Sequence, residues 1–373
     1  MKRVGIVSIY DSDGMLHDYL LYYIESLRVV LDKMFVVVNG VLKKEEITKI
    51  EKYTSEIYVR DNIGYDAGAY KYLLKNVISL LELQKYDELI LTNDTCFGPF
   101  VSFRYIFEQM EIENLDFWGM NYIDNNIFQY IQSNFLVFNK NLFHVVYDYF
   151  LNQIDDKATT KHQVCMEFER GLFRFLDEKG YRHGVYSVKN TFDSYASPDC
   201  LIENCKYPFL KKRAFEIHWE DYKQNLIHAM VLIAQLYKYD LNLIISYLKY
   251  KNIGILDILT NENKPKEIHY DVADISLTEI LSLCQGYNDM YIFGTGYWAQ
   301  DIFAYYRDIL TNFRGFIVSD KYYSQQHILG AVVYKYSQVK NKDIGIIVGL
   351  SRETSREVKV YLGNPPNILY LWK

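Results

Sequence analysis

Strand-like and helix-like stretches alternate along the first 120 residues, and this alternation constrains the fold of the 373-residue chain more than any other feature. VGIVSIY (4–10), FVVVNG (35–40), EIYVR (56–60) and DELILT (87–92) read as short buried strands. Segments with helical spacing lie between and after them, at 16–31, 43–52 and 67–83. Strands that alternate with helices in this way predict a parallel sheet covered on both faces, an α/β fold. Ligands of such sheets sit outside the carboxyl ends of the strands. The residues that follow each strand are therefore where chemistry is to be sought.

The pattern is less regular from 116 to 215, where DFWGMNY and SNFLVFN read as strands and 164–181 as a helix ending at Gly180. Residues 220–259 read as helix, and the polar stretch TNENKPKE (260–267), with Pro265, is the best linker. A second alternation follows: strands at 290–293, 315–319, 343–349 and 367–372, with helices at 297–310 and 352–361. The expected organisation is a domain over 1–220, a helical connector over 221–265 and a small Rossmann-like α/β domain over 266–373, in keeping with a length too great for one ordinary domain.

Composition excludes several classes. Half the residues are apolar and 24% are charged, so cores can form and disorder is ruled out. The net charge of −6 gives no overall basic field, which argues against a nucleic-acid partner. The 36 tyrosines fit either a compositional bias or the stacking of sugar rings. Five scattered cysteines, without a C-x-x-C pair, read as free thiols in a reducing compartment. Without a signal peptide or an 18-residue apolar run in view, a cytoplasmic location is expected.

Three polar clusters follow strands of the first domain: Tyr10–Gly14 with Asp11, Arg60–Gly68, and Thr92-Asn93-Asp94-Thr95. Each has an ordinary reading, since Asp, Asn and Gly form turns and Asp66 suits the cap of the next helix. Their position on one rim of one sheet also suits a nucleotide sugar. Asp61 and Asn62 offer partners for base or ribose, Gly64 and Gly68 close backbone approach, and Asp94 charge management at a diphosphate, directly or through a divalent cation.

Six blocks occur in order: NIGYDAGAYKYLL (62–74), YDELILTNDTCFGPF (86–100), DFWGMNY (116–122), QSNFLVFNK (132–140), FERGL (168–172) and YPFLKKRAF (207–215). Together, over roughly residues 1–220, they resemble the rhamnan synthesis protein F family of bacterial polysaccharide glycosyltransferases. The resemblance implies a GT-A-like nucleotide-sugar-binding domain. It further implies a dTDP- or UDP-sugar donor, possible rhamnose transfer with inversion, and a lipid-linked glycan acceptor at the inner membrane face. With the polar strand ends, the expected donor contacts are Asp11, Asp61, Asn62, Gly64, Asp66, Asn93 and Thr95.

One departure stands out. GT-A enzymes usually carry Asp-x-Asp for a metal, whereas Asn93-Asp94-Thr95 has one carboxylate. Asp94 could still hold Mg²⁺ or Mn²⁺ with diphosphate oxygens and water, and His218 in EIHWED could add a ligand, although a lone His beside Trp219 is more often packed or at the surface.

An inverting transferase needs a second carboxylate to take the acceptor proton. Glu169 in MEFERGL matches the acidic position of the family's block; Glu167 is its rival, and Asp193 and Asp199 are weaker candidates. Solvated helix surface is the ordinary reading for Glu169. Trp118 could stack on an acceptor ring or belong to the core, and Gln132 and Ser133 could bond sugar hydroxyls.

In the second domain, Phe293-Gly294-Thr295-Gly296-Tyr297-Trp298-Ala299 follows a strand and opens a helix, the context of a G-x-G-x-x-A phosphate loop. Asp320 ends the next strand, where a ribose-binding acid is expected. The segment is similar to the N-terminal domain of sugar acyltransferases, and a structural or dimerising module is the competing reading. Two alternatives to transfer remain at this level: an NAD(P)-linked sugar oxidoreductase using Gly294 and Gly296, and a non-catalytic glycan-assembly subunit. The apolar stretches HAMVLIAQLY and LNLIISYLKY suit either domain packing or peripheral membrane contact.

Overall fold

The computed structural model describes residues 1–372 except 159, 218, 254–272, 308–309 and 325. The chain divides into two compact units: Met1–Ile123 with Tyr130–Tyr270, and Asp124–Gln129 with Asp271–Lys373. The proposed linker around Pro265 lies outside the described residues.

The first unit is built on a seven-stranded sheet in the spatial order His183–Val185, Phe117–Gly119, Phe135–Asn139, Glu88–Asn93, Arg3–Ile9, Lys33–Asn39 and Ile57–Arg60. The last four run parallel, as the alternation predicts. Arg3–Ile9 and Glu88–Asn93 are buried along their whole length, which is why they read as apolar runs without alternation. Phe135–Asn139 runs antiparallel to both its neighbours, making the sheet mixed.

Side chains still alternate between the two faces. Val7, Ile9, Val36, Val38, Ile90, Trp118 and Val137 enter one core, with the helices Asp18–Arg28, Phe103–Met110 and Trp219–Tyr237. Val4, Ile6, Phe35, Val37, Leu89, Leu91 and Phe138 enter the other, with Tyr65–Asn76, Phe143–Gln153 and Gly171–Glu178.

The segment read as a connector contributes Leu226, Ala229, Ile233, Ile244, Tyr247 and Leu248 to the first of these cores. Much of the apolar surface of its helices is thus used in packing, and no described helix is long and apolar enough to cross a membrane.

Register places the polar strand ends on one rim. Ser8 lies opposite Asn93, and Asn39 opposite Arg60. The reversed strand starts where the parallel strands stop, with Phe135 opposite Thr92, so the preceding Ser133 and Asn134 also reach this rim. The Asn134 carbonyl accepts hydrogen bonds from the Thr92 hydroxyl (2.8 Å) and the Asn93 N–H (3.4 Å).

The expected helix at 164–181 is not uniform. Cys165–Arg170 forms a π-helical turn before Gly171–Glu178 continues as α-helix. Gly171 permits this transition, because a Cβ there would lie 2.7 Å from both the Met166 carbonyl oxygen and the Tyr149 hydroxyl. That hydroxyl donates to the Glu167 carbonyl at 2.7 Å, satisfying a group in the widened turn.

The second unit holds a six-stranded sheet in the order His327–Ile328, Ala331–Lys335, Phe313–Val318, Met290–Phe293, Gly345–Val348 and Ile368–Tyr370. All neighbours are parallel except the short edge strand His327–Ile328. Its residues 124–129 come from the earlier part of the chain. The Asn126 amide donates to the Ala273 carbonyl at 2.8 Å, and Phe128 stacks beside Trp298 and Tyr306. Sequence periodicity gives no sign of this inserted turn.

Trp118 is corrected from a candidate acceptor platform to a core residue. It is 2% exposed, and its ring meets Phe107 edge-on at 5.1 Å and lies 6.0 Å from Phe135. Trp118→Ala should therefore cost about 3–5 kcal/mol in denaturant unfolding. A loss below about 0.5 kcal/mol, the ordinary surface range, would return Trp118 to the surface.

Candidate active site

The central strand ends in Asn93, Asp94 and Thr95, and the side chains around this turn form one hydrogen-bonded system. The Asn93 amide oxygen accepts from the Thr95 hydroxyl (2.6 Å) and N–H (3.2 Å). Its amide nitrogen donates to Asp66 Oδ2 at 2.7 Å. Asp66 stands in the first turn of Tyr65–Asn76, and its other oxygen accepts from the Ala67 N–H. Burial pushes the Asp66 carboxyl up, only partly offset by these hydrogen bonds.

Asp94 is 8% exposed and faces a cation of the chain itself. Lys212 Nζ lies 3.1 Å from Asp94 Oδ2 and donates to the Tyr19 hydroxyl at 2.6 Å. Burial opposes the charge on Lys212, but the Asp94 carboxylate wins and holds this ammonium above its usual range. The backbone brings Lys212 here. Leu210–Lys211 pairs antiparallel with Cys96–Phe97, and the Lys212 N–H donates to the Thr95 carbonyl at 3.1 Å.

Glu169 projects from the π-helical turn. One carboxylate oxygen accepts from the Ser133 N–H (2.9 Å) and hydroxyl (3.0 Å), and the other from the Cys165 thiol at 3.2 Å. It interacts electrostatically with Asp66, Lys161 and Lys211, which ties it to the same rim. Its rival Glu167 is committed elsewhere, accepting from the Asp155 N–H and the Gln163 amide. Asp193 accepts the N–H groups of Tyr195 and Ala196, an ordinary turn, and Asp199 is buried against His228 at 3.1 Å.

Several other expected contacts are spent inside the protein. Gln132 is buried, donating to the Ser194 hydroxyl and accepting from Asn121. It is not presented to a sugar. Gly64 has φ +72°, and its N–H donates to the Ala158 carbonyl at 3.0 Å. A Cβ at Gly68 would lie 2.4 Å from the Ile63 carbonyl oxygen, so these two glycines serve the turn's own close packing. Asp61 is exposed and Asn62 half-buried. Asp11 binds its own loop through the N–H groups of Asp13 and Met15, with His17 at 3.2 Å and Lys251 at 3.4 Å. In the second unit, Gly294 has φ +114° and the turn opens Tyr297–Tyr306, whereas Asp320 accepts the Ser337 N–H.

The described residues of the rim give a divalent cation no ready-made set of protein ligands. Among the described residues no group of three His, Cys, Asp or Glu side chains could hold a metal. Asn93 spends its oxygen on Thr95, and an ammonium already stands against Asp94. His218 lies outside the described residues. Sequence reading missed the groups that take these places. Lys211, Lys212 and Arg213 sat unread within the YPFLKKRAF block, and Lys161 follows the N-cap Thr160.

The mixed sheet and its polar rim define an α/β fold consistent with GT-A-like or Rossmann-like nucleotide-binding domains. The chain belongs to the rhamnan synthesis protein F family, whose model matches residues 34–280. It is 26% identical over 184 residues to virulence protein VirA of Vibrio anguillarum, covering 48% of this chain and 56% of that protein. The chain thus spans about half the length of the curated relatives it matches. Among solved structures, a cytidylyltransferase of Leptospira borgpetersenii is 10% identical with a TM-score of 0.35, covering 71% of this chain and all of that one. Core-mannan synthase A of Aspergillus fumigatus is 10% identical with a TM-score of 0.24, covering 40% and 63%. At these scores neither bears on function.

Asp11 supplies a pH test. Burial would raise its carboxyl, but the hydrogen bond from His17, the N–H groups of Met15 and Asp13, and the Lys251 charge hold it well below the usual carboxylate range. A depressed folded value means that its contribution is complete above the unfolded value near pH 4 and is lost as pH falls toward the folded value. Asp11→Asn should cost about 2 kcal/mol at pH 7, with the gap to wild type closing below about pH 4 in urea titrations. A gap that stays constant on acidification would show that the turn does not use the charge.

Proposed function

We propose that this protein is a glycosyltransferase that moves a sugar from a dTDP- or UDP-sugar to a growing bacterial surface polysaccharide. The family supports sugar transfer in general. The observation that favours a catalytic role is Glu169, a carboxylate fixed by Ser133 and Cys165 on the rim that carries Asn93, Asp94 and Asp66.

In this reading the acceptor hydroxyl oxygen attacks the anomeric carbon and its proton passes to Glu169. The bond from that carbon to the donor's diphosphate oxygen breaks, and the electron pair leaves with the nucleoside diphosphate. Attack and departure on opposite sides give inversion. Ser133 orients Glu169, and the Asn93–Asp66 hydrogen bond keeps the strand end rigid beside the diphosphate. Rhamnose as the sugar, a lipid-linked acceptor and work at the inner membrane face are further parts of this proposal, in keeping with a family named for rhamnan synthesis.

Glu169→Gln keeps the shape and hydrogen-bonding length of the side chain while removing its basicity. The variant should bind the donor as wild type does and lose about 10²–10⁴-fold in transfer rate. Transfer at the wild-type rate would dismiss Glu169 as the base.

A further inference from the structure

We propose that the consecutive cations Lys211, Lys212 and Arg213, together with Lys161, form the seat for the donor's diphosphate, so that donor binding and departure need no divalent metal. This rests on the transferase reading and specifies how its leaving group is stabilised.

Three observations carry it. The strand pairing of Leu210–Lys211 with Cys96–Phe97 sets Lys211 opposite Cys96, and the Lys212 N–H closes on Thr95. Three successive cations are therefore laid along the turn that ends the central strand. Secondly, Lys212 is placed against Asp94 and Tyr19, so a fixed ammonium already stands against Oδ2 of this carboxylate. Thirdly, Lys161 and Arg213 make no ion pair among the described residues. Lys161 feels the charges of Asp66 and Glu169, but neither it nor Arg213 is held by a carboxylate, on a chain whose net charge is −6.

Lys161 stands in the repulsive field of two of these cations. Desolvation, and after it the charges of Arg213 and Lys211, pushes the Lys161 ammonium below its usual range. Lys161 is open to solvent by surface area, so the repulsion is the part that bears on a ligand. An anion placed among these groups would relieve it. A diphosphate does so through charge-assisted hydrogen bonds, and Arg213 can engage two of its oxygens together. Charge grows on the bridging oxygen as the sugar leaves, and prepositioned cations stabilise that change without reorganisation.

The test uses the full chain with UDP and dTDP as probes, by calorimetry in EDTA and again with Mn²⁺. At least one of the two should bind equally well in both conditions. Lys161→Gln and Arg213→Gln, both at exposed positions, should each weaken metal-free binding about tenfold or more, with the folded state checked by thermal melting. Lys212→Met, at a half-buried position, should do the same if it folds. Binding that appears only with Mn²⁺, or that survives both exposed substitutions unchanged, would overturn the cation seat and leave the transferase reading standing. Absence of binding by any nucleotide sugar or nucleoside diphosphate to folded protein, with or without metal, would overturn both.

Discussion

One reversed strand organises this molecule's rim. In a wholly parallel sheet every strand delivers only its last residues to the carboxyl edge. Phe135–Asn139 runs the other way, and so delivers the residues that precede it. Ser133 then holds Glu169, and the Asn134 carbonyl ties the turn to Thr92 and Asn93. A slip of one residue in this pairing would also exchange the two faces of a strand whose Val137 and Phe138 enter different cores. Packing on both faces therefore fixes where Glu169 is anchored.

The second organising contact is the short pairing of residues 210–211 with 96–97. Two residues of strand contribute little by themselves, and the pairing is supported by packing around it. Phe97, Phe209, Leu210 and Phe215 are all buried in one core, with Tyr19 and Tyr247 edge-on to Phe97. The helices at 219–237 and 242–250 supply much of that core, which gives the apolar stretches of the supposed connector a structural use.

The sequence was informative where periodicity and turn chemistry were strong. The four parallel strands, the Asn93-Asp94-Thr95 turn and Asp66 at its helix start follow from buried runs stopped by polar residues. Glu169 was found through its sequence block, not through helical spacing, which cannot reveal a π-helical turn. Trp118 and Gln132 were ambiguous because an inward-pointing aromatic or amide beside a strand looks the same in sequence as one facing a ligand. The Lys211–Arg213 run was not read because two residues of strand show no periodicity and a basic triplet resembles solvated surface. Its meaning depends on the partner strand at 96–97, more than a hundred residues earlier.

This placement changes what Asp94 does. A carboxylate that binds a metal does so through its own oxygens, and Asp94 Oδ2 is already engaged by Lys212. Pairing two buried charges is a poor source of net stability, because the desolvation of both ions offsets their attraction. What the pair provides is position: Lys212, otherwise a flexible four-carbon chain, is held between a carboxylate and the Tyr19 hydroxyl. Under the cation-seat proposal Asp94 serves a different purpose. It orients a fixed positive charge beneath the diphosphate, where other enzymes of this general chemistry recruit one from solution.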